Sequence, residues 1–305
     1  MGTDKVFITT FTDPMMGLSW EYEPDFRKLE THFPGTIEFR YMMAVLVPDV
    51  YRLVDPHDLP LGNDVAIRNY NARLADIYRS EEAISGMPIN MAGFHLFSTD
   101  CTSSRPLNIA YKAALLTDRE KAGAFLYRLR YATVVECKQT TRLEEILRVA
   151  DKIGMDTEAF LRCYNDGTAE NALNHDLRLG HDLGIRTLPA YLLQYGDKRV
   201  LVKILIDYDA FVSVIREMTN DRVHPQDVQP SLEVVRRLLR RHPLISLIEI
   251  REALALQNMD EALKWISPLI ENGEASLRDG FISQSSHQPL FGDSSSQEAP
   301  YPLCP

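Results

Sequence analysis

The stretch KVFITTFTDPMMGLSWEYEP at residues 5–24 joins a short β-prone segment to the start of an amphipathic helix. Lys5 to Thr10 is rich in the branched and aromatic residues that favour strands. Beyond it, apolar residues recur three or four positions apart on one helix face that ends before Pro34-Gly35, namely Leu18, Tyr22, Phe26, Leu29 and Phe33. A second apolar run at 36–46 completes a βαβ unit, which predicts parallel pairing of the two strands.

The order of the later segments predicts the rest of the main domain. Residues 64–184 show helical periodicity and no convincing strand, so we expect a large α-helical insertion there. The segments 190–195 and 199–205 flank the turn Gly196-Asp197-Lys198 and predict a hairpin, which a helix from Tyr208 to Met218 follows. The predicted fold class is α/β, in the order βαβ, helices, ββα.

A small second unit is predicted after a polar stretch that contains Pro225 and Pro230. We expect four segments, namely a domain at 1–222, a linker at 223–230, a module at 231–284 and a flexible tail at 285–305. Three helical patterns and a hairpin around Asp279-Gly280 give the module the order of a winged helix, a small α+β fold. Ser231 and Ser246 are predicted N-caps of its first two helices.

Composition limits the function classes. The 305 residues are 45% hydrophobic and 25% charged, which is typical of a globular protein with real cores. The net charge of -10 disfavours unspecific attraction to nucleic acid or to anionic lipid. The sequence has no apolar run of about eighteen residues and no signal-peptide pattern at residues 1–10, so we expect no membrane span and a cytoplasmic location.

Motifs for metals, cofactors and nucleic acid are missing from the sequence. The cysteines, Cys101, Cys137, Cys163 and Cys304, are widely spaced and form no cluster with histidines, so we expect reduced thiols and no metal site. No phosphate-binding loop or hydrolase motif appears, and we expect no cofactor. The predicted recognition helix at 259–272 carries one lysine against three acidic residues, which disfavours DNA binding and favours a protein contact or a homodimer through the module.

The segment FTDPMMGLSWEYEP at 11–24 resembles the active-site segment of cytoplasmic DsbA-like thioredoxin-fold proteins, where Asp-Pro precedes a CxxC and then Trp and Glu-Pro. Further similarity at 41–48, 108–114 and 176–191 extends the resemblance over about residues 5–220. This branch includes FrnE-type dithiol-disulfide isomerases and YjbH-type protease adaptors. The resemblance implies a thioredoxin fold and a cis peptide bond before Pro189, beside the active site.

The two cysteine positions of the family motif hold Met16 and Ser19 in this sequence. Neither side chain can form the mixed disulfide through which thiol-disulfide exchange proceeds. The resemblance therefore implies a peptide-binding or adaptor protein without redox activity, with a protein or peptide as partner. Its apolar site would comprise Met15, Met16, Leu18, Ser19, Trp20, Thr187, Leu188 and Pro189. Alternatively, the methionines and Trp20 fill the space of the lost disulfide and only stabilise the junction.

An enzyme of the same fold is the alternative function. It would exchange disulfides through another thiol, or act as a glutathione-dependent isomerase with glutathione as a partner. The kappa-class glutathione transferases and the 2-hydroxychromene-2-carboxylate isomerases use a serine in this fold, but that serine aligns with Met16 and not with Ser19. The sequence therefore names no catalytic residue for this alternative.

Overall fold

A four-stranded sheet forms the centre of the main domain in the computed structural model, which describes residues 5–285. Its strands are β1 (Val6–Thr12), β2 (Ile37–Met43), β3 (Ala190–Tyr195) and β4 (Lys198–Val202), in the spatial order β2-β1-β3-β4. β1 and β2 are parallel, with Val6 opposite Ile37 and Thr12 opposite Met43. β3 is antiparallel to β1 and forms a hairpin with β4. The predicted parallel pair and hairpin are both confirmed.

Two helices, not one, connect β1 to β2. α1 (Gly17–Glu21) is separated from α2 (Glu23–His32) at Tyr22. Pro24 has no N–H to donate to the carbonyl of Trp20, so one continuous helix would lose a hydrogen bond at this point. The apolar face of α2 packs on the sheet together with α9 (Tyr208–Thr219). Their shared core includes Phe26, Leu29, Phe33, Tyr191, Phe211 and Ile215.

The insertion between β2 and β3 is helical, as predicted. It contains α3 (Asn63–Glu81), α4 (Arg105–Thr117), α5 (Ala122–Val134), α6 (Leu143–Lys152), α7 (Thr157–Asn165) and α8 (Thr168–Asp182). Two short 3-10 helices, at Val50–Arg52 and Leu59–Leu61, precede them. The insertion has its own core, in which Phe125, Leu129, Ile146 and Phe160 are completely buried. This core extends to Trp20 of α1, so the insertion packs directly on the region where the sequence places the site.

The C-terminal module has the helix and hairpin order of a winged helix. It consists of α10 (Leu232–Arg241), β5 (Leu244–Ser246), α11 (Leu247–Ala253), α12 (Met259–Glu271), β6 (Ala275–Arg278) and β7 (Phe281–Gln284), with the strands in the order β5-β7-β6. Ser231 and Ser246 cap α10 and α11, and Glu249 completes a capping box with Ser246. The short strand β5 is absent from the sequence-based prediction because its three residues are too few to show a period.

The predicted domain boundaries stay predictions. Residues 220–230 contain no helix or strand, which suits the linker proposed at 223–230, although Val223 itself is buried in the core of the main domain. The tail proposed at 285–305 lies, apart from Ser285, outside the described residues, as does Cys304. Between residues 5 and 285 no helix is both long and apolar enough to span a membrane.

The C-terminal module packs against the main domain. α11 lies along α2, and Phe281 of β7 enters the core of the helical insertion. There the Phe281 ring stacks on Trp20 with 5.9 Å between ring centroids. Through Phe281 the module therefore forms part of the packing around α1.

Candidate functional site

The loop between β1 and α1 is held in place by the buried carboxyl group of Asp13. Its Oδ1 accepts a hydrogen bond from the Met15 N–H at 3.0 Å. Its Oδ2 accepts three more, from the Leu46 N–H, the Ser104 hydroxyl and the Asn108 side-chain amide, at 2.7–2.9 Å. Burial raises the pKa of Asp13, and these four donors oppose the rise. Asp13 thus joins the loop to the end of β2 and to α4.

The side chains at and around the family's cysteine positions face inward. Met16 is the N-cap residue of α1 and is 5% exposed, while Met15 and Trp20 are completely buried. The Ser19 hydroxyl is buried and lies 2.7 Å from the Thr12 hydroxyl, with which it shares a hydrogen bond. This packing favours the interpretation that these four side chains stabilise the junction. Leu18 retains partly exposed surface.

Helix α3 covers the start of α1. The Tyr78 hydroxyl donates a hydrogen bond to the Met15 carbonyl. A Cβ atom at Gly17 would lie 2.0 Å from Oε2 of Glu81 and 2.7 Å from Cδ1 of Tyr78. A larger residue at position 17 would have to displace the Tyr78 ring as well as the end of the Glu81 side chain, and this close approach favours glycine.

The second part of the predicted site is the loop before β3. The Leu188–Pro189 peptide bond is cis, as the family resemblance implies. Pairing of β1 with β3 ends at Phe11 and Ala190, which brings Pro189 to the same end of the sheet as Thr12 and α1. Pro189 is buried, Leu188 is partly exposed and Thr187 is exposed, so the loop keeps an accessible edge.

Two buried carboxyl groups lie where α1 meets the end of α3. Burial raises the pKa of both Glu21 and Glu81 to about 7; the carboxyl of Glu21 adds to the rise at Glu81, and that of Glu82 adds to the rise at Glu21. Oε2 of Glu21 accepts hydrogen bonds from the hydroxyl and N–H of Ser85. Oε1 of Glu21 and Oε2 of Glu81 have no hydrogen-bond partner among the described residues. The contact of α1 with α3 is therefore most stable when these carboxyls are protonated.

This arrangement predicts a pH dependence of stability. Because the folded-state pKa of Glu21 lies above the ordinary 4.5, the folded chain binds the extra proton between pH 4.5 and about 7. The free energy of unfolding should fall by about 1–3 kcal/mol over this interval as the pH rises. Urea unfolding of Glu21→Gln at several pH values should show a flatter profile than the wild type. The exposed Glu158→Gln should leave the profile unchanged, and a Glu21→Gln profile that matches the wild type would contradict the assignment.

A chain of buried polar groups leads from Ser19 to the C-terminal module. Thr12, which pairs with Ser19, accepts a hydrogen bond from Arg130 at 3.1 Å, and Arg130 also pairs with Glu23 at 2.6 Å. Glu23 in turn pairs with Arg27 at 2.6 Å. Arg27 then reaches Glu249 of α11 at 3.1 Å. The residues at the degenerate motif and the docked module are thus parts of one network.

The cysteines of the described structure are unpaired and take part in no metal-binding cluster. Cys101, Cys137 and Cys163 are free thiols. Burial raises the pKa of the Cys137 and Cys163 thiols, which disfavours the thiolate that exchange requires. Over residues 5–285 no group of three or more His, Cys, Asp or Glu side chains could hold a metal ion.

Several residues that build this site were not predicted from the sequence. Asp13 belongs to the quoted motif, but its role depends on Ser104 and Asn108, which are about 90 residues away. Tyr78 and Glu81 lie on a helix whose position over α1 no local pattern reveals. Gly17, directly after the N-cap of α1, was the one signal in the sequence that another segment approaches α1 closely.

One comparison with known proteins matches the main domain, and another extends into the C-terminal module. The family model described as Thioredoxin matches residues 9–212. The ClpXP adapter protein SpxH of Halalkalibacterium halodurans is 23% identical over 266 residues, covering 86% of this chain and 82% of that protein. SpxH of Bacillus subtilis is 23% identical over 228 residues, covering 73% of this chain and 71% of that protein.

A solved structure supports the same fold. A protein disulfide isomerase structure from Nitrosomonas europaea superposes with a TM-score of 0.58 at 15% identity, covering 72% of this chain and 99% of that one. At this identity the likeness concerns the fold alone. Together with the family match over more than half of the sequence, it shows that this chain belongs to the thioredoxin family, with the helical insertion of its DsbA-like members.

Proposed function

We propose that this protein is an adaptor, which binds another protein and delivers it to a ClpXP-type protease without exchanging disulfides. The observation that carries the proposal is the pair Met16 and Ser19, which stands where the family resemblance places two thiols and is packed into the interior. Thiol-disulfide exchange needs an accessible thiolate that attacks a disulfide sulfur. Neither residue supplies one, so the retained fold is left with binding.

The accessible edge of the cis-proline loop is the surface we assign to the partner. The Thr187 hydroxyl bonds to the Lys203 carbonyl at 3.4 Å, which brings the segment after β4 beside the loop. Ile204 in that segment is 68% exposed and Leu205 is 40% exposed. With Leu188 and Leu18 they offer apolar area for an extended peptide. Met15, Met16, Ser19 and Trp20 are buried, so we expect them to stabilise α1 and not to touch the partner directly.

The similarity to the SpxH proteins is the reason for proposing a protease adaptor. The SpxH proteins are named ClpXP adapters, and the longer match covers 86% of this chain, too much for the main domain alone. The similarity therefore includes part of the C-terminal module that packs beside Trp20. We assign the whole assembly, and not only the thioredoxin-like part, to the adaptor role.

A turnover experiment tests this role directly. Protein half-lives would be measured by mass spectrometry in the source organism, in strains lacking this protein, lacking ClpX, or lacking neither. We expect at least one protein to be stabilised in both deletion strains and to bind the purified chain. Replacing Leu188 with Asp should weaken that binding. If no protein is stabilised in both strains, the adaptor proposal is wrong.

A second prediction concerns redox activity. Purified protein should reduce insulin with dithiothreitol no faster than dithiothreitol alone, because no thiol pair lies at the start of α1. A variant with Cys101, Cys137, Cys163 and Cys304 all changed to Ser should behave identically. Faster reduction by the wild type that disappears in the cysteine-free variant would support the oxidoreductase alternative.

The proposal also covers the cellular location of the protein and two further partners, glutathione and a second copy of the chain. We place the chain in the cytoplasm, where free thiols such as those of Cys101 and Cys163 persist. Glutathione is kept as a partner to be tested, and a rise in melting temperature with glutathione would favour the isomerase alternative. A homodimer through the C-terminal module would double the mass measured by light scattering.

A further inference from the structure

Strand β4 forms an open edge of the main sheet. It pairs with β3 on one side, and no described strand pairs with it on the other. The hairpin turn at 196–197 has two residues, so the hydrogen-bonded pairs alternate along the hairpin from Tyr195 and Lys198 onward. Arg199 and Leu201 therefore direct their N–H and C=O groups away from β3. Such an unpaired edge is a template for a further strand.

The outward backbone groups of Arg199 and Leu201 are unpaired and accessible. In the described part of the chain, none of them takes part in a hydrogen bond. Arg199 is exposed and Leu201 is partly exposed, so solvent reaches both. The side chains of Val200 and Val202 pack into the core that β4 shares with α9, which anchors the strand. An incoming strand would therefore find an edge that is already ordered.

The segment that contains this edge is positively charged, although the whole chain has a net charge of -10. Residues 183–206 hold one acidic residue, Asp197, against four cations. The cations are Arg186, Lys198, Arg199 and Lys203. Lys198 donates to the side-chain oxygen of Asn220 and Lys203 donates to the Gly184 carbonyl, and none of the four cations forms an ion pair with a described carboxylate. Their charge is therefore available to an acidic partner.

Charge also selects among the possible occupants of this edge. If two β4 strands paired in antiparallel fashion, Arg199 of one copy would lie opposite or diagonal to Arg199 or Lys203 of the other, within about 8 Å. Like charges at this spacing disfavour a second copy of the chain. A strand with carboxylates at alternate positions would instead place them beside Arg199 and Lys203, on the same face of the sheet.

We propose that an extended acidic segment of another protein adds to the main sheet along β4. Its backbone would pair with the outward groups of Arg199 and Leu201, and its carboxylates would meet the surrounding cations. Lys203 lies beside Thr187 and precedes the exposed Ile204, so this edge is continuous with the surface assigned above to the partner. The inference rests on the adaptor function only in taking the bound protein as the source of the segment. The turnover experiment does not depend on β4, so the two proposals can fail separately.

Peptide binding to the unmodified chain tests both the charge and the strand pairing. Fluorescence anisotropy would measure the affinity of a labelled peptide of alternating valine and glutamate. We expect this peptide to bind about tenfold more tightly than one with lysine in place of glutamate. N-methylation of the glutamates, whose N–H groups would face Arg199 and Leu201, should weaken binding by about tenfold. No binding, equal binding of the lysine peptide, or unchanged binding after N-methylation would overturn the proposal.

Proline substitutions test whether β4 is the edge that the peptide uses. Leu201→Pro removes one outward N–H and no hydrogen bond to β3, so the hairpin should persist while the affinity for the valine-glutamate peptide falls about tenfold. Leu277→Pro is the matched control, because Leu277 also directs its N–H outward, on the edge strand β6 of the module. The control should bind the peptide as the wild type does. Equal affinities of the two variants would refute the assignment, as would a dimer in light scattering that Leu201→Pro abolishes.

Discussion

Replacing Arg27 with Ala is expected to lower the free energy of unfolding by about 3–5 kcal/mol, because buried carboxylates lose the cation that they share. Arg27 is 7% exposed and pairs with Glu23 and Glu30 at 2.6 Å and with Glu249 at 3.1 Å. Burial disfavours the charge of Arg27, but the three carboxyls outweigh it and raise the pKa of Arg27 well above the ordinary value. Without the guanidinium, Glu23 keeps Arg130 and Glu30 keeps Arg241, but Glu249 has no other cation within residues 5–285.

The position of Arg27 adds a second expected result. Glu23 and Glu30 belong to α2, while Glu249 belongs to α11 of the C-terminal module. Burial raises the pKa of Glu249 to about 7 even beside Arg27, so this carboxyl tolerates burial poorly by itself. Loss of Arg27 should therefore loosen the module and expose the 223–230 stretch to proteolysis before global unfolding.

Chemical denaturation followed by circular dichroism measures the first effect, and limited digestion with proteinase K, which has broad specificity, measures the second. Arg240→Ala is the matched control, since Arg240 pairs with Glu233 on the exposed surface of α10 and such pairs contribute about 0–1 kcal/mol. Similar losses for the two variants would mean that the buried network does not hold the module in place.

The sequence predicted those elements whose signals are local. The strand Val6–Thr12, the hairpin and the capped helices of the module each depend on alternation, turn residues or a cap within about ten residues. Two elements were missed, one because a proline was overlooked and one because the strand is too short to show a pattern. Pro24 divides the expected helix, and β5 has only three residues.

The candidate site was predicted in part. The motif and the resemblance located Met16, Ser19 and Pro189 in the chain, and the cis peptide bond agrees with the resemblance. Burial of Met16 and Ser19 depends on α3 and on Thr12, and the network through Arg130 and Arg27 joins residues more than 100 positions apart. Buried arginines in this number cannot be predicted from composition, because arginine is ordinarily a surface residue.

Replacing Trp20 with Ala should also cost about 3–5 kcal/mol of stability, since a large completely buried side chain would leave a cavity. The Trp20 ring lies 5.1 Å from Tyr127 and 5.9 Å from Phe281, measured between centroids, and its Nε1–H donates to the Pro88 carbonyl at 3.2 Å. These contacts belong to α5, to the C-terminal module and to the segment after α3. A cavity here therefore removes support from three parts of the molecule at once.

The other tryptophan of the chain supplies the comparison for this prediction. Trp265 on α12 is partly exposed and packs only within the module, so Trp265→Ala should cost less than half as much. Unfolding followed by circular dichroism, which needs no tryptophan signal, gives both values. If Trp20→Ala also weakens partner binding while Trp265→Ala does not, the packing beneath α1 supports the binding surface. If the two variants lose the same free energy of unfolding, Trp20 does not hold the main domain, the insertion and the module together.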